Sequence, residues 1–170
     1  MLNFKQALNN ITTFIFDIDG VLTNNTVFVT EQGELLRNMH SKDGYAIHLA
    51  IKKGYKLIII SGGNNEAVKK VLERAGVHHI FIRQADKLQC YTDLLIEHSL
   101  SDKEIMYMGD DLPDWHVMKR VGVAACPNDA ATEIKEICQY ISDKKGGEGC
   151  VRDIIEQTMR AQQSWEIDNW

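Results

Sequence analysis

Short apolar runs alternate with stretches of helical periodicity along the chain. Residues 11–18 are rich in β-branched and aromatic side chains and predict a buried strand. Residues 27–29 and 35–36 are apolar and flank Glu31-Gln32-Gly33, which predicts a β-hairpin spanning about residues 26–39. Residues 43–53 place Ile47, Ala50 and Ile51 on one helical face, with Gly54 as the stop. A second buried strand follows at 57–60, then a helix over 64–75 ended by Gly76. The pattern continues with a short strand at 80–82, a helix at 87–98 and a strand at 105–108. A short helix at 114–121, a strand at 123–125 and a helix at 130–138 come next. From residue 151 the chain reads as helix and then frays into a polar tail at about 164–170.

Strands separated by helices predict an α/β fold, a doubly wound parallel sheet with right-handed crossovers. In such sheets the ligand site lies outside the carboxyl ends of the strands. The polar clusters fall there: Asp17 and Asp19 after the first strand, Ser61 after the next buried one, Asp110 and Asp111 after a later one. Separate segments thus deliver polar residues to one rim, which is the main reason to expect an active site.

Composition adds limits. A chain of 170 residues predicts one domain with one core. Hydrophobic residues make up 44% and charged residues 25%, an ordinary globular balance. The net charge of -5 gives no electrostatic reason to expect nucleic acid or an acidic membrane. The apolar runs are too short to cross a bilayer. The N-terminal MLNFKQALNN lacks a signal-peptide layout, and the four cysteines form no C-x-x-C pair. A cytoplasmic protein with reduced thiols is the expectation.

The candidate chemistry begins with Asp17-Ile18-Asp19-Gly20. Two carboxylates two residues apart at a strand end can face one cleft. One can attack an electrophile while the other carries a proton to and from the leaving oxygen. A carboxylate nucleophile suits a phosphoryl centre neutralised by a hard cation; the plainer alternative is a surface turn. Gly109-Asp110-Asp111-x-x-Asp114 is a second acidic cluster, of the kind magnesium prefers. Asp111 and Asp114 could equally cap the following helix. Ser61-Gly62-Gly63 sits at a strand-to-helix turn, where hydroxyl and amides can donate to a phosphate. Lys87 opens a helix and could neutralise phosphoryl oxygens, or simply be solvated. Lys144-Lys145-Gly146-Gly147 reads as a flexible basic loop.

In this order and spacing, FIFDIDGVLT, IIISGG, Asp86-Lys87 and YMGDDLPD resemble the motifs of the haloacid dehalogenase superfamily. The second aspartate of D-x-D points to its phosphatases. The gap between Gly20 and Ser61 is too short for a cap domain and resembles the capless subclass, whose members form tetramers. Asp43-Gly44, GDDLPDWHVMK and residues 146–152 are similar to the family of 3-deoxy-D-manno-octulosonate (KDO) 8-phosphate phosphatases. That resemblance implies a Rossmann-like fold with a hairpin insertion and no cap. It implies Asp17 as nucleophile, Asp19 as general acid/base, and Ser61 and Lys87 holding the phosphoryl group. Magnesium would be held by Asp17, Asp110 and the backbone carbonyl of Asp19. Gly62, Gly63, His40, Ser41, Lys42, Asp43, Gly44 and His48 match the substrate-binding stretches, with Arg152 pairing the sugar carboxylate. Family members often carry arginine where this chain has Gly63 and Val71.

The expectation is therefore a magnesium-dependent phosphatase acting on a keto-sugar acid phosphate, KDO 8-phosphate first. The alternatives are phosphate esters of nine-carbon relatives such as KDN 9-phosphate. A mutase of the same superfamily would normally need a cap. A non-catalytic sugar-phosphate-binding module would predict loss of Asp17, Asp19 or Lys87, and all are present. The tail's Trp165 and Trp170 are expected to be disordered or docked on a neighbouring subunit.

Overall fold

In a computed structural model, which describes residues 4–166, the chain forms a six-stranded parallel sheet with helices on both faces. The strands are β1 (Thr13–Phe16), β4 (Lys56–Ile60), β5 (His79–Phe81), β6 (Ile105–Met108), β7 (Val123–Cys126) and β8 (Tyr140–Ile141). A separate antiparallel hairpin joins β2 (Phe28–Val29) to β3 (Leu35–Leu36). The helices are α1 (Phe4–Leu8), α2 (Ser41–Lys52), α3 (Glu66–Arg74), α4 (Lys87–Glu97), α5 (Trp115–Met118), α6 (Thr132–Ile137) and α7 (Cys150–Ala161).

Strand residues alternate between two cores, as the pleat requires. Phe14, Phe16, Leu57, Ile59, Met106 and Met108 pack with α2 and α7 residues such as Ile47 and Ile154. Ile15, Ile58, Ile60 and Tyr107 pack on the other face with Tyr91, Leu94, Val117 and Ile134. Because both faces are covered, β1, β4 and β6 are continuous apolar runs.

The strand order is β5-β4-β1-β6-β7-β8. From β1 the chain winds outward through β4 and β5, then crosses back to β6. The connections therefore diverge between β1 and β6, and a crevice opens there at the carboxyl ends. The ladder runs one residue past each strand: Asp17 N–H donates to Met108 O at 3.1 Å, and Ser61 N–H to Phe81 O at 2.8 Å. Asp17, Ser61 and Gly109 thus leave the sheet at one level.

Several expected boundaries shift. The helix expected over 114–121 is a 3₁₀ turn, Leu112–Asp114, followed by the single turn of α5. The pattern did not announce α1 and β8, which are five and two residues long. Gly146 and Gly147 are not a flexible turn: both are buried, and a Cβ on either would overlap the backbone between Gly20 and Asn24.

The tail, as far as it is described, docks on its own chain. Ser164 Oγ lies 2.8 Å from Tyr55 Oη, and Lys53 pairs with Glu166 at 2.7 Å. Tyr55 precedes β4, so this contact is at the sheet end opposite Asp17. The Trp165 ring takes the Arg152 and Arg160 guanidinium groups on its face at 5.4 and 5.9 Å. Trp165 is thus neither loose nor dependent on a neighbour, while Trp170 lies outside the described residues. No helix among the described residues is long and apolar enough to cross a membrane.

Candidate active site

Asp17 follows β1 and is almost fully buried. Its Oδ1 accepts the Ile18 N–H at 2.7 Å, and its Oδ2 lies 2.9 Å from Lys87 Nζ. Lys87 is the first residue of α4, directly after Asp86, which caps the helix by accepting the Gln89 N–H at 2.9 Å. That cap fixes where the lysine enters the crevice. Lys87 Nζ is also 2.7 Å from Asp114 Oδ1. Burial opposes the lysine's charge, but Asp17 and Asp114 outweigh it and hold the ammonium above its ordinary value. Burial, then the Asp114 charge, push Asp17 up to about 7 despite Lys87.

Asp110 follows β6 and lies across the switch point from Asp17. Its Oδ2 accepts from Asn25 Nδ2 at 3.1 Å. Burial, with repulsion from Asp114 and Asp111, pushes its carboxyl up to about 6, only partly offset by Asn25. The carboxylate rests over Gly20, whose φ is +86°. A Cβ at residue 20 would overlap it, so glycine is needed both for backbone conformation and for space.

Asp114 is not a helix cap. Its buried Oδ1 also accepts from Tyr107 Oη at 2.6 Å, and its Oδ2 from the Asp110 N–H at 3.3 Å. The capping is done by Asp111, which is exposed and accepts the Leu112 N–H at 2.8 Å. One ligand atom each from Asp17, Asp110 and Asp114 lie within 4.8 Å of one another. Carboxylates pushed upward by mutual repulsion and burial are relieved by a divalent cation, so the donor set fits one, and its all-oxygen chemistry suits magnesium. Asp114 already accepts from Lys87, Tyr107 and the Asp110 amide, which leaves it fewer lone pairs for a cation than Asp17, bonded by Ile18 and Lys87, or Asp110, bonded by Asn25.

Asp19 points elsewhere. Its Oδ1 accepts from Arg37 Nε at 2.6 Å and from Thr23 Oγ1 at 3.1 Å. Its Oδ2 accepts from Arg37 Nη2 at 3.2 Å and from Asn65 Nδ2 at 3.1 Å. Burial works to raise this carboxyl, but the bonds from Arg37, Asn65 and Thr23 prevail and hold it below the usual range. Ser61 is buried beside it, and its Oγ is 3.4 Å from both the Gly63 N–H and Asn65 Nδ2. Gly62 and Gly63 open the turn into α3, and a Cβ on Gly63 would press on Asp19 and Asn65 at about 3 Å.

The other expected substrate residues divide. Asp43 is buried and accepts the Arg152 N–H on Oδ1 at 2.7 Å, so it caps α7 from another helix. Burial pushes its carboxyl up to about 6. The Arg152 side chain bonds Glu156 at 3.3 Å and stacks between Tyr45 and Trp165. His40, Lys42 and Arg152 do meet, on a cleft of about 390 Å³ between α2 and α7. That cleft shares no lining residue with the carboxylate cluster. Ser41 and His48 are exposed on α2, and Gly44 has open space where a Cβ would stand. Nearer to Asp19, a groove of about 330 Å³ runs between the hairpin and α3, lined by Leu35, Leu36, Arg37, Met39, Asn65 and Val71.

Arg37, Asn25, Asn65 and Tyr107 were not anticipated. Arg37, Asn25 and Asn65 act on carboxylates distant in sequence that no local motif links to them, while Tyr107 opens the YMGDDLPD run but reads there as a plain strand residue.

Comparison with known proteins agrees with this geometry. The 3-deoxy-D-manno-octulosonate 8-phosphate phosphatase of Yersinia pestis is 32% identical over 161 residues, covering 95% of this chain and 86% of that protein. The chain belongs to the haloacid dehalogenase-like hydrolases. Residues 75–154 match the model of that family. Within this family of hydrolases its relatives are phosphatases. A crystal structure of the Yersinia pestis phosphatase superposes with a TM-score of 0.92 at 31% identity, covering 95% of this chain and 88% of that one. The Moraxella catarrhalis phosphatase, solved with magnesium, phosphate and KDO, gives 0.91 at 27% identity, covering 94% and 92%. As in these haloacid dehalogenase-like structures, a six-stranded parallel sheet forms the body, and no cap domain stands over the site among the described residues.

Proposed function

We propose that residues 1–170 form one magnesium-dependent catalytic unit that hydrolyses KDO 8-phosphate to KDO and phosphate. The observation that carries this is the buried carboxylate cluster at the β1/β6 switch point, with Lys87 Nζ 2.9 Å from Asp17. Support for the substrate comes from the relatives, whose name specifies it.

Asp17 attacks phosphorus, and the bond from phosphorus to the sugar oxygen breaks as that oxygen takes a proton from Asp19, which is ionised and bonded to Arg37 in the free protein and would have to take up that proton with substrate bound. An aspartyl-phosphate on Asp17 results. Asp19, now ionised, takes a proton from water; the resulting hydroxide attacks phosphorus, releasing phosphate and restoring Asp17. Ser61 and Lys87 hold the phosphoryl oxygens through both steps. The Asp17 and Asp110 side chains and the Asp19 carbonyl would hold magnesium, which would supply positive charge against those oxygens when bound.

A second reading, a nine-carbon relative such as KDN 9-phosphate, is favoured by one observation. Val71 puts an apolar side chain on the hairpin–α3 groove where family members often carry arginine. The test is a panel of KDO 8-phosphate, KDN 9-phosphate and p-nitrophenyl phosphate, each with magnesium and with excess chelator. KDO 8-phosphate should show the highest kcat/KM, and chelator should abolish turnover of all three. Higher efficiency on KDN 9-phosphate selects the second reading. Turnover that ignores the chelator overturns the mechanism.

A further inference from the structure

We infer that Asn25 is a positioning residue for the metal site: from one foot of the hairpin it fixes the Asp110 carboxylate in the pose that receives magnesium. This rests on the magnesium-dependent reading above and adds a residue to it.

The backbone of Asp110 is pinned at both its polar groups. Its N–H donates to Asp114 Oδ2 at 3.3 Å, and its O accepts from the Ala131 N–H at 2.8 Å. What the backbone leaves open is rotation of the side chain. The carboxylate rests on Gly20, where a Cβ would overlap Oδ2. Asn25 Nδ2 reaches that same oxygen at 3.1 Å, the one side-chain hydrogen bond that Asp110 takes among the described residues. Asp17 and Asp114, by contrast, are both tied to Lys87. The Asp110 side chain therefore depends on Asn25 for its orientation.

Asn25 is itself exposed, but the loop that delivers it is clamped. Thr23 N–H donates to Ile18 O at 3.0 Å, and Gly147 N–H donates to Val21 O at 2.9 Å. Gly146 and Gly147 lie so close beneath this loop that a Cβ on either would overlap the backbone of Gly20 or Asn24. Asn25 follows directly, so its amide is aimed from a fixed base. The other foot of the hairpin is anchored separately, by Arg37 on Asp19.

An amide suits this task. A carboxylate offers several lone pairs; Asn25 takes one and leaves the rest of Asp110 to a cation. Being neutral, the amide orients a metal ligand without setting a positive charge against the incoming ion, as a lysine or arginine would. Hydrogen bonds to ligating carboxylates are a general determinant of metal affinity.

The test uses the full chain stripped of metal and titrated with magnesium by calorimetry, with melting curves across the same magnesium range. Asn25→Ala should bind magnesium about 10-fold more weakly, the low end for loss of a bond that orients a ligand. A given magnesium concentration should then raise its melting temperature less than that of the wild type. The magnesium concentration for half-maximal turnover should rise by a similar factor, while kcat at saturating magnesium stays close to wild type. Asn24→Ala is the control. Asn24 Oδ1 accepts the Thr26 N–H at 3.2 Å in the same loop, and among the described residues Asn24 bonds no carboxylate. It should leave magnesium affinity at the wild-type value. Unchanged or tighter magnesium binding by Asn25→Ala overturns the proposal, as does an equal loss in Asn24→Ala. If Asn25→Ala does not fold, Asn25→Leu, which keeps the side-chain shape and lacks the donor, takes its place under the same criteria. Failure of the magnesium reading looks different: magnesium would not raise the melting temperature of the wild type itself.

Discussion

At the scale of single residues, the site concentrates negative charge and then manages it. Asp17, Asp110 and Asp114 meet within 4.8 Å, and one ammonium, Lys87, serves two of them. Asp17→Asn should fold and lose at least about 10³-fold in kcat, since an amide is a poor nucleophile and the catalytic residues act as a unit. Steady-state assays of the folded variant check this, and near-normal turnover would remove Asp17 from the role. Asp110→Ala should raise the magnesium concentration for half-maximal activity, and calcium should inhibit the wild type because it takes more ligands at longer distances. A metal titration with both ions checks it; an unchanged requirement would leave Asp110 outside the metal site. Asp17, Ser61, Lys87 and Asp110 were legible in the sequence because each sits at a strand end or a helix start. Asp114 was ambiguous because GDDLPD also reads as a helix entry, and burial against Tyr107 is invisible locally. Asn65 and Arg37 act across 46 and 18 residues, a distance that no motif spans.

At the scale of elements, α2 and α7 are coupled by Asp43. Gly149 precedes α7 and offers no side-chain cap, so Asp43 supplies one from α2 through the Arg152 N–H. Asp43→Ala should cost about 1 kcal/mol, as for loss of a helix cap. The acid's own titration can be read separately with Asp43→Asn, which keeps an acceptor oxygen. Burial raises the folded carboxyl from 3.8 to about 6. Between those values the folded protein holds a proton that the unfolded chain has released, so this group's contribution to stability falls as pH rises. The wild type should therefore gain on Asp43→Asn as pH drops from about 6 toward 4, in paired melts. A pH-independent difference would mean that Asp43 titrates normally. Long apolar strands such as β1, β4 and β6 were readable from their composition. In contrast, α1 and β8 are too short to show a period; β8 is held by pairing with β7, and α1 by packing such as Phe4 on Tyr140.

At the scale of the whole molecule, the hairpin carries the largest group of exposed apolar side chains among the described residues. Phe28 and Val29 are each 67% exposed, and β2 pairs only with β3. A two-stranded ribbon is marginal alone, so hairpins from several copies closing a ring would cover both side chains and edges. Light scattering at micromolar concentration should give a tetramer, and Phe28→Asp with Leu36→Asp should reduce it. A wild-type monomer would defeat the idea. Trp165 belongs to the chain's own packing, so Trp165→Ala should lower the melting temperature while leaving the kcat/KM ratio between sugar and aryl phosphates unchanged. A changed ratio would return the tail to substrate selection. The hairpin's two feet, Asn25 on Asp110 and Arg37 on Asp19, have a kinetic corollary. If association steadies the ribbon, dilution loosens the grip on both carboxylates. Specific activity should then fall below a threshold enzyme concentration, and progress curves started from a dilute stock should show a lag that depends on how long the stock has stood.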